Sequence, residues 1–419
     1  EYEQRYARFR DVGQPTITAA RLRIEIFPER PAVELAGTYR LVNGTSAAVA
    51  ELHVYVWPEV QARAVSLDRA ATPTLVDAEL GYRIYTLAEP LQPGETMQLA
   101  FETAYVPRGF RNGRNQTSVV RNGAAFNRMW MPFVGYQPML ELQDDAARER
   151  FGLAPRPPLP GADVDGTHAA RQQRWSYRDA DLVHVDAVVG TAAGQVAVTP
   201  GVLRREWLEN GRRYFHYETE TPTSFGVTVF SGRYGVVEDR WNDVALQVFH
   251  HPSHRYNLAR VMEAMKASLA YYSAQFSPYP DSQLRIVEIP RYGAYGSAHP
   301  HTIAFTEDFF LTRTKEGEFD QTFYGVAHEI AHTWWGGLVR GAPVRGHTVL
   351  SESLANYSAM MVVEKTYGHE AARRVYAYQM NRYLGRRAAF ARDVPLVEVE
   401  EHPHIAYGKG AVALYMLRD

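Results

Sequence analysis

The sequence contains no cysteine, which excludes disulfide staples and thiolate metal sites while leaving the compartment open. It also lacks a strong excess of either charge. The formal net charge is -2, and no run of lysine or arginine forms a stripe along a helix, so nothing electrostatic asks for nucleic acid. No apolar run approaches the length that spans a bilayer. The first residues, Glu1-Tyr2-Glu3-Gln4-Arg5, have neither the basic start nor the apolar centre of a signal peptide. Internal repeats and low-complexity segments are absent. An initiator methionine is missing too, and Ala411 to Asp419 reads as a helix that stops soon after it begins. The expectation is a piece of a longer protein, with any targeting or membrane segment outside it.

What is present describes a globular protein: 46% hydrophobic and 22% charged residues in a chain of 419, too long for one ordinary core. Two domains are expected, 1–235 and 236–419. In the first, Leu22, Ile24 and Ile26 alternate with Arg21, Arg23 and Glu25, and Leu52, Val54 and Val56 repeat the period of two that marks half-buried antiparallel strands. Turn signals punctuate them: Asn43-Gly44, Pro93-Gly94 and Asn210-Gly211, the last a hairpin signal. A short helix is expected around Asp144 to Phe151, followed by a stiff loop carrying Pro155, Pro157, Pro158 and Pro160.

Past Ser231 to Asp243 the period changes. Leu258, Val261, Met262, Met265 and Leu269 share one face of a helix over Tyr256 to Phe276. A strand (Leu284 to Ile289), a glycine-rich loop, a second strand (Thr302 to Phe305) and further helices follow.

The strongest chemical signal is His328-Glu329-Ile330-Ala331-His332. Residues four apart on a helix stand one turn apart on one face, so both imidazoles can hold one cation with Glu329 beside its water. The helix is expected independently, from Phe323, Ala327, Ile330, Ala331 and Trp334 at helical spacing and from Asp320 as N-cap. A catalytic zinc needs a third protein ligand and an open position. Leu338 stands where a further histidine would signal a different class. The candidate is Glu352, at the start of a second helix ending near Gly368 with Ser351 as its cap. Alone, a glutamate there would be explained by the helix dipole; beside the two histidines it reads as a ligand.

The runs His328 to Trp335 and Leu350-Ser351-Glu352-Ser353-Leu354-Ala355-Asn356-Tyr357 resemble the aminopeptidase N family of gluzincin metallopeptidases. The resemblance implies a multidomain α and β protein: an N-terminal antiparallel β-domain over 1–235, then a thermolysin-like α+β catalytic domain over 236–419. The family's helical C-terminal domain would begin where this chain stops. It implies one zinc ion on His328, His332 and Glu352, Glu329 as general base, and a peptide or protein substrate. Nineteen residues separate His332 from Glu352, one more than is common in the family, an insertion assigned to Gly341 to His347. Trp334-Trp335-Gly336 and Leu350 to Leu354 are most similar to the subgroup fused to ABC-transporter permeases. A membrane permease segment would then lie outside the chain, making it the extracytoplasmic part of a bacterial membrane protein.

The family stabilises its oxyanion with a tyrosine in a Tyr-Glu-Lys-Gly run. Tyr407-Gly408-Lys409-Gly410 is the corresponding stretch, so the resemblance makes Tyr407 that donor. Family aminopeptidases also carry a Gly-x-Met-Glu-Asn motif whose glutamate binds the substrate's amino group. Here Ser297-Ala298-His299 takes that place, and Ala298 offers no charge to an ammonium. Three outcomes stay open: a peptidase altered in exopeptidase specificity, for which endopeptidase action is possible; a peptide-binding module on a transporter with lapsed catalysis; and hydrolysis of a non-peptide ester or epoxide, which has family precedent but no residue here to carry it. Ala298, His299 and His301 are expected to border the substrate. His299-Pro300-His301, His402-Pro403-His404 and His250-His251 read as exposed or cleft-lining loops ahead of a second metal site.

Overall fold

Alternation carries through the N-terminal half, because a strand with one face on a core must bury every second residue. The computed structural model describes residues 1–107, 118–161, 179–290, 296–315, 317–388, 393–400 and 402–418. In the strand Thr16–Phe27, Leu22, Ile24 and Ile26 are buried while Arg21 and Arg23 face outward. This strand pairs antiparallel with Ala32–Val42 and parallel with Ala180–Ala192, so one pairing departs from an all-antiparallel arrangement. The parallel partner lies far along the chain, beyond the reach of any local turn signal. Asn210 and Gly211 take φ of 50° and 73° and join Val202–Glu209 to Arg212–Glu218, the left-handed pair a two-residue hairpin requires. The short helix is Asp145–Arg150, capped by Asp144, and the prolines after it lie in irregular chain.

The chain divides into two units, 1–157 with 176–233 and 158–175 with 234–419. Among the described residues the first holds an eight-stranded and two four-stranded sheets. Its apolar cluster includes Ile24, Leu35, Phe101 and Phe215.

The second unit is built on a five-stranded sheet ordered Gly235–Trp241, Val244–His250, Gln283–Ile289, Thr302–Thr306 and Gly296–His299. Val244–His250 and Gln283–Ile289 are parallel, which demands a long crossover, and the helix Leu258–Gln275 supplies it. Its apolar face, with Val261, Met265, Leu269 and Tyr272, packs with Ile286, Ile303 and Phe305 of the sheet and with Phe323, Ile330 and Trp334. Fully burying one such side chain is worth about 1.5–3 kcal/mol, and the collective effect fixes the helix Gln321–Ala331 against the sheet.

The glycine-rich loop expected before Thr302 contains a strand instead. Gly296–His299 pairs antiparallel with Thr302–Thr306 as the sheet's edge. Gly-Ser-Ala-His has little strand propensity of its own, and only the pairing makes it a strand. No helix among the described residues is long and apolar enough to cross a membrane.

Candidate metal centre and active site

The helix Gln321–Ala331 begins where Asp320 accepts a hydrogen bond from the Phe323 N–H at 3.0 Å. Phe323, Ala327, Ile330 and Ala331 are fully buried, and the Tyr272 hydroxyl donates to the Ala327 carbonyl at 2.9 Å. With that face committed to the core, the last turn presents His328 and His332 together, their Nε2 atoms 3.2 Å apart. His332 Nδ1 lies 2.9 Å from the Trp335 carbonyl; donation there leaves Nε2 as the nitrogen with a free lone pair.

The helix Glu352–Tyr367 ends at Gly368, whose φ of 83° breaks the turn. Its start differs from expectation. Ser351 makes no capping hydrogen bond, because its backbone is already helical, following the turn His347–Val349. Its hydroxyl instead donates to the Thr348 carbonyl at 3.3 Å. Glu352 occupies the first turn, where the dipole favours a carboxylate. Its Oε2 stands 3.5 Å from His328 Nε2 and 3.6 Å from His332 Nε2.

These atoms form a nearly equilateral triangle. Ligands about 2.0–2.1 Å from a tetrahedral zinc lie about 3.3 Å from one another, so the set fits such an ion. Glu352 Oε2 is buried without a hydrogen-bond partner, a costly condition that a cation would relieve. Burial alone would raise the Glu352 carboxyl, but the two imidazoles hold it far below the usual carboxylate range. Burial likewise opposes the charge on His332, yet Glu352 raises it to about 9. Among the described residues this is the one group of three or more His, Asp or Glu side chains close enough to share an ion.

Glu329 Oε1 is 4.0 Å from His328 Nε2, and burial pushes its carboxyl up against the opposing effect of both histidines and of a hydrogen bond from the Ala298 backbone N–H. The edge strand supports it closely: a Cβ on Gly296 would stand 2.7 Å from Glu329 Oε1.

Tyr407 lies on a π-helical turn, His404–Lys409, with its ring centroid 6.0 Å from that of His328. Its hydroxyl is pushed well above the ordinary tyrosine value by burial first, then by Glu352 and Glu329, so at neutral pH it is a donor. The neighbouring Lys409 pairs with Asp393 at 3.2 Å and donates to the Val394 carbonyl at 3.0 Å.

The substrate-bordering candidates separate. Ala298 packs toward the apolar cluster, paired with Ile303, while His299 pairs with Thr302 and by strand alternation presents the opposite face. Burial lowers His299 to about 4. His301 sits in the turn between the strands with φ of 58°, its Nδ1 3.4 Å from Asp281. Neither histidine joins the group formed by His328, His332 and Glu352. Of the loop running from Tyr292 to His301, residues 292–295 lie outside the described residues.

Three further residues, Gln379, Tyr324 and Arg382, carried no signal in the sequence. Gln379 Nε2 donates to the Tyr324 hydroxyl at 2.7 Å, Tyr324 hydrogen-bonds Asn356, and Asn356 Nδ2 donates to the Glu352 carbonyl at 2.9 Å. This buried network ties the two helices that carry the candidate ligands to the helix His369–Arg387. Arg382, on that last helix, lies over the Tyr407 ring, 5.1 Å from its centroid. Polar residues on a helix are common, and only packing reveals which ones meet.

Residues 260–419 match the model of the Peptidase family M1 domain. The matched stretch contains both helices that carry the candidate ligands, together with Glu329 and Tyr407. The fold is similar over nearly all of the chain to the crystal structure of M1 zinc metallopeptidase from Deinococcus radiodurans, with a TM-score of 0.63, 16% sequence identity and coverage of 97% of this chain and 83% of that one. A mutant of that protein bound to a Tyr-Ser-Ala substrate gives a TM-score of 0.60 at the same identity and coverage. No curated protein sequence matches the chain. The mixed architecture, a multi-sheet β-domain followed by a domain of sheet and helices, is that of M1 metallopeptidases.

Proposed function

We propose that the protein is a zinc peptidase that hydrolyses peptide bonds at the centre formed by His328, His332 and Glu352. The observation that carries this reading is the triangle of their donor atoms, with sides of 3.2, 3.5 and 3.6 Å. Two imidazoles and a carboxylate suit zinc with an open fourth position, and the M1 match supports zinc over other divalent ions. A bound zinc ion would lower the pKa of a water toward neutrality and polarise the scissile carbonyl.

The chain's own residues supply the rest. Glu329 accepts the proton of the attacking water and returns it to the leaving amine; a carboxyl raised by burial suits both directions. The Tyr407 hydroxyl donates to the carbonyl oxygen as negative charge develops there. Burial of Glu329 beside the Ala298 N–H and Gly296 holds the base in one place, which shortens the search for a reactive geometry. The tripeptide bound by the mutant of the Deinococcus protein supports a peptide as substrate class.

Ala298 leaves no carboxylate for a substrate's amino group where family aminopeptidases carry one, and this favours a second reading, a peptide-binding module whose catalysis has lapsed. The position of Glu329 favours the first, since binding alone requires no base. Attachment to a membrane permease is a further proposal, resting on Trp334-Trp335-Gly336 and Leu350 to Leu354. Metal content and hydrolysis of free and N-blocked peptides, compared between the protein and Glu329→Gln, test the reading. Loss of hydrolysis with zinc retained is expected. Cleavage unaffected by the substitution would remove the proposed base.

A further inference from the structure

Arg382 extends from the exposed side of the helix His369–Arg387 with its guanidinium 5.1 Å from the Tyr407 ring centroid and 5.9 Å from that of Tyr378. Both distances are within the range at which a ring face attracts a cation. Among the described residues no carboxylate pairs with it, whereas Arg387, one turn further on, has Asp393 at 3.9 Å. Tyr378 is itself braced, stacked on Phe319 with centroids 4.4 Å apart. The two rings therefore restrict the arginine without using its hydrogen-bonding edge.

That edge holds a fixed positive charge beside the tyrosine that faces the metal ligands. The opposite feature is missing at the edge strand, where Ala298 brings no negative charge. Glu352 and Glu329 together carry two negative charges, which a divalent cation would balance, leaving Arg382 as unpaired positive charge. A site with this balance of charge disfavours a substrate ammonium and favours a substrate anion. The planar fork of a guanidinium matches a carboxylate in a bidentate pair.

We propose that Arg382 is a specificity residue that binds a carboxylate of the peptide substrate, on the Tyr407 side of the metal centre. The inference rests on the reading of that centre as a peptidase site. The carboxylate is either the substrate's C-terminus or an acidic side chain, and one set of probes separates them: Ala-Ala-Ala, Ala-Ala-Ala amide and Ala-Glu-Ala amide.

Dissociation constants are measured by calorimetry on the zinc-loaded Glu329→Gln protein, and KM and kcat on the active protein, each with and without Arg382→Ala and Arg382→Lys. At least one carboxylate probe should bind about 10- to 100-fold more tightly than the neutral amide. Arg382→Ala should abolish that difference and leave the neutral amide unchanged, and Arg382→Lys should restore part of it. A preference for Ala-Ala-Ala assigns the terminus, and a preference for Ala-Glu-Ala amide the side chain. Equal binding of all three probes, no measurable binding of either carboxylate probe, or an equal loss for all three in Arg382→Ala would overturn the inference. Hydrolysis without discrimination defeats this inference alone. Discrimination in binding without any hydrolysis defeats the peptidase reading and leaves the arginine's role standing.

Discussion

Ser353 Oγ donates a hydrogen bond to the carbonyl of Ala406 at 2.7 Å. Ser353 follows the candidate ligand Glu352, and Ala406 precedes Tyr407, so one buried contact sets the separation of the carboxylate and the tyrosine. Ser353→Ala removes this hydrogen bond, at a cost of about 0.5–1.5 kcal/mol in chemical denaturation. Because Tyr407 is proposed to act in the transition state, kcat should fall more than KM rises. Equal kinetics with lowered stability would make the contact purely structural.

Glu329→Gln keeps the shape of the side chain and removes its ability to accept a proton. Zinc content, measured by atomic absorption, should stay at one ion per chain while hydrolysis drops by about 10²–10⁴-fold. The metal measurement separates loss of the base from loss of the site.

Gly296→Ala approaches the same group from the other side. The added methyl would meet Glu329 Oε1 and Phe305 Cε1, each at 2.7 Å, too close for either to remain where it is. A displaced base with intact metal ligands should retain zinc and lose about a hundredfold in kcat. Zinc loss in this variant would show that the edge strand supports the ligands instead.

Glu352→Ala removes one corner of the triangle. Zinc should no longer co-purify stoichiometrically, and added zinc should fail to raise the thermal midpoint. In the unaltered protein stripped with a chelator, zinc at a thousandfold excess over Kd should restore about 4 kcal/mol. Equal zinc stabilisation of both proteins would remove Glu352 from the ligand set.

Asp393 links acidity to the tyrosine turn. Its carboxyl is held below the usual carboxylate range chiefly by a hydrogen bond from Tyr383, with burial opposing it and Lys409 and Arg387 adding to the lowering. A lowered folded value means that its stabilising contribution is complete above the unfolded pKa, about 3.9, and is lost as pH falls through the folded value. Asp393→Asn should be less stable than the parent at neutral pH, and the gap should close below about pH 4. A gap of constant size across that range would show that the charge contributes nothing.

The legible parts of this structure were those governed by local rules. The alternation at Leu22, Ile24 and Ile26, the left-handed pair Asn210-Gly211 and the Asp320 cap each follow from a few adjacent residues. The motif His328 to His332 could be read because a helical turn brings residues four apart together whatever surrounds them. Glu352 was reachable through its helix start and through resemblance. The parallel pairing of Thr16–Phe27 with Ala180–Ala192 joins segments far apart in the chain, and no turn signal can announce it. The strand Gly296–His299 has residues that avoid strands in isolation. Gln379 and Arg382 matter through what they meet, and spacing along their own helix says nothing of Tyr324 or Tyr407. Ser351 had the chemistry of a cap and lacked the extended backbone that capping needs.

Between His404 and Lys409 the chain takes more residues per revolution than an α-helix. Each residue of an ordinary helix turns the side chain by about 100°, so a widened turn shifts the angular phase of everything after it. Here the shift reconciles two demands that an unbroken helix would set against each other: a bulky ring aimed at the imidazoles, and a residue with no side chain, Gly410, where a Cβ would come within 2.0 Å of Ser353 Oγ. The irregular winding is therefore a form of timing along the helix axis.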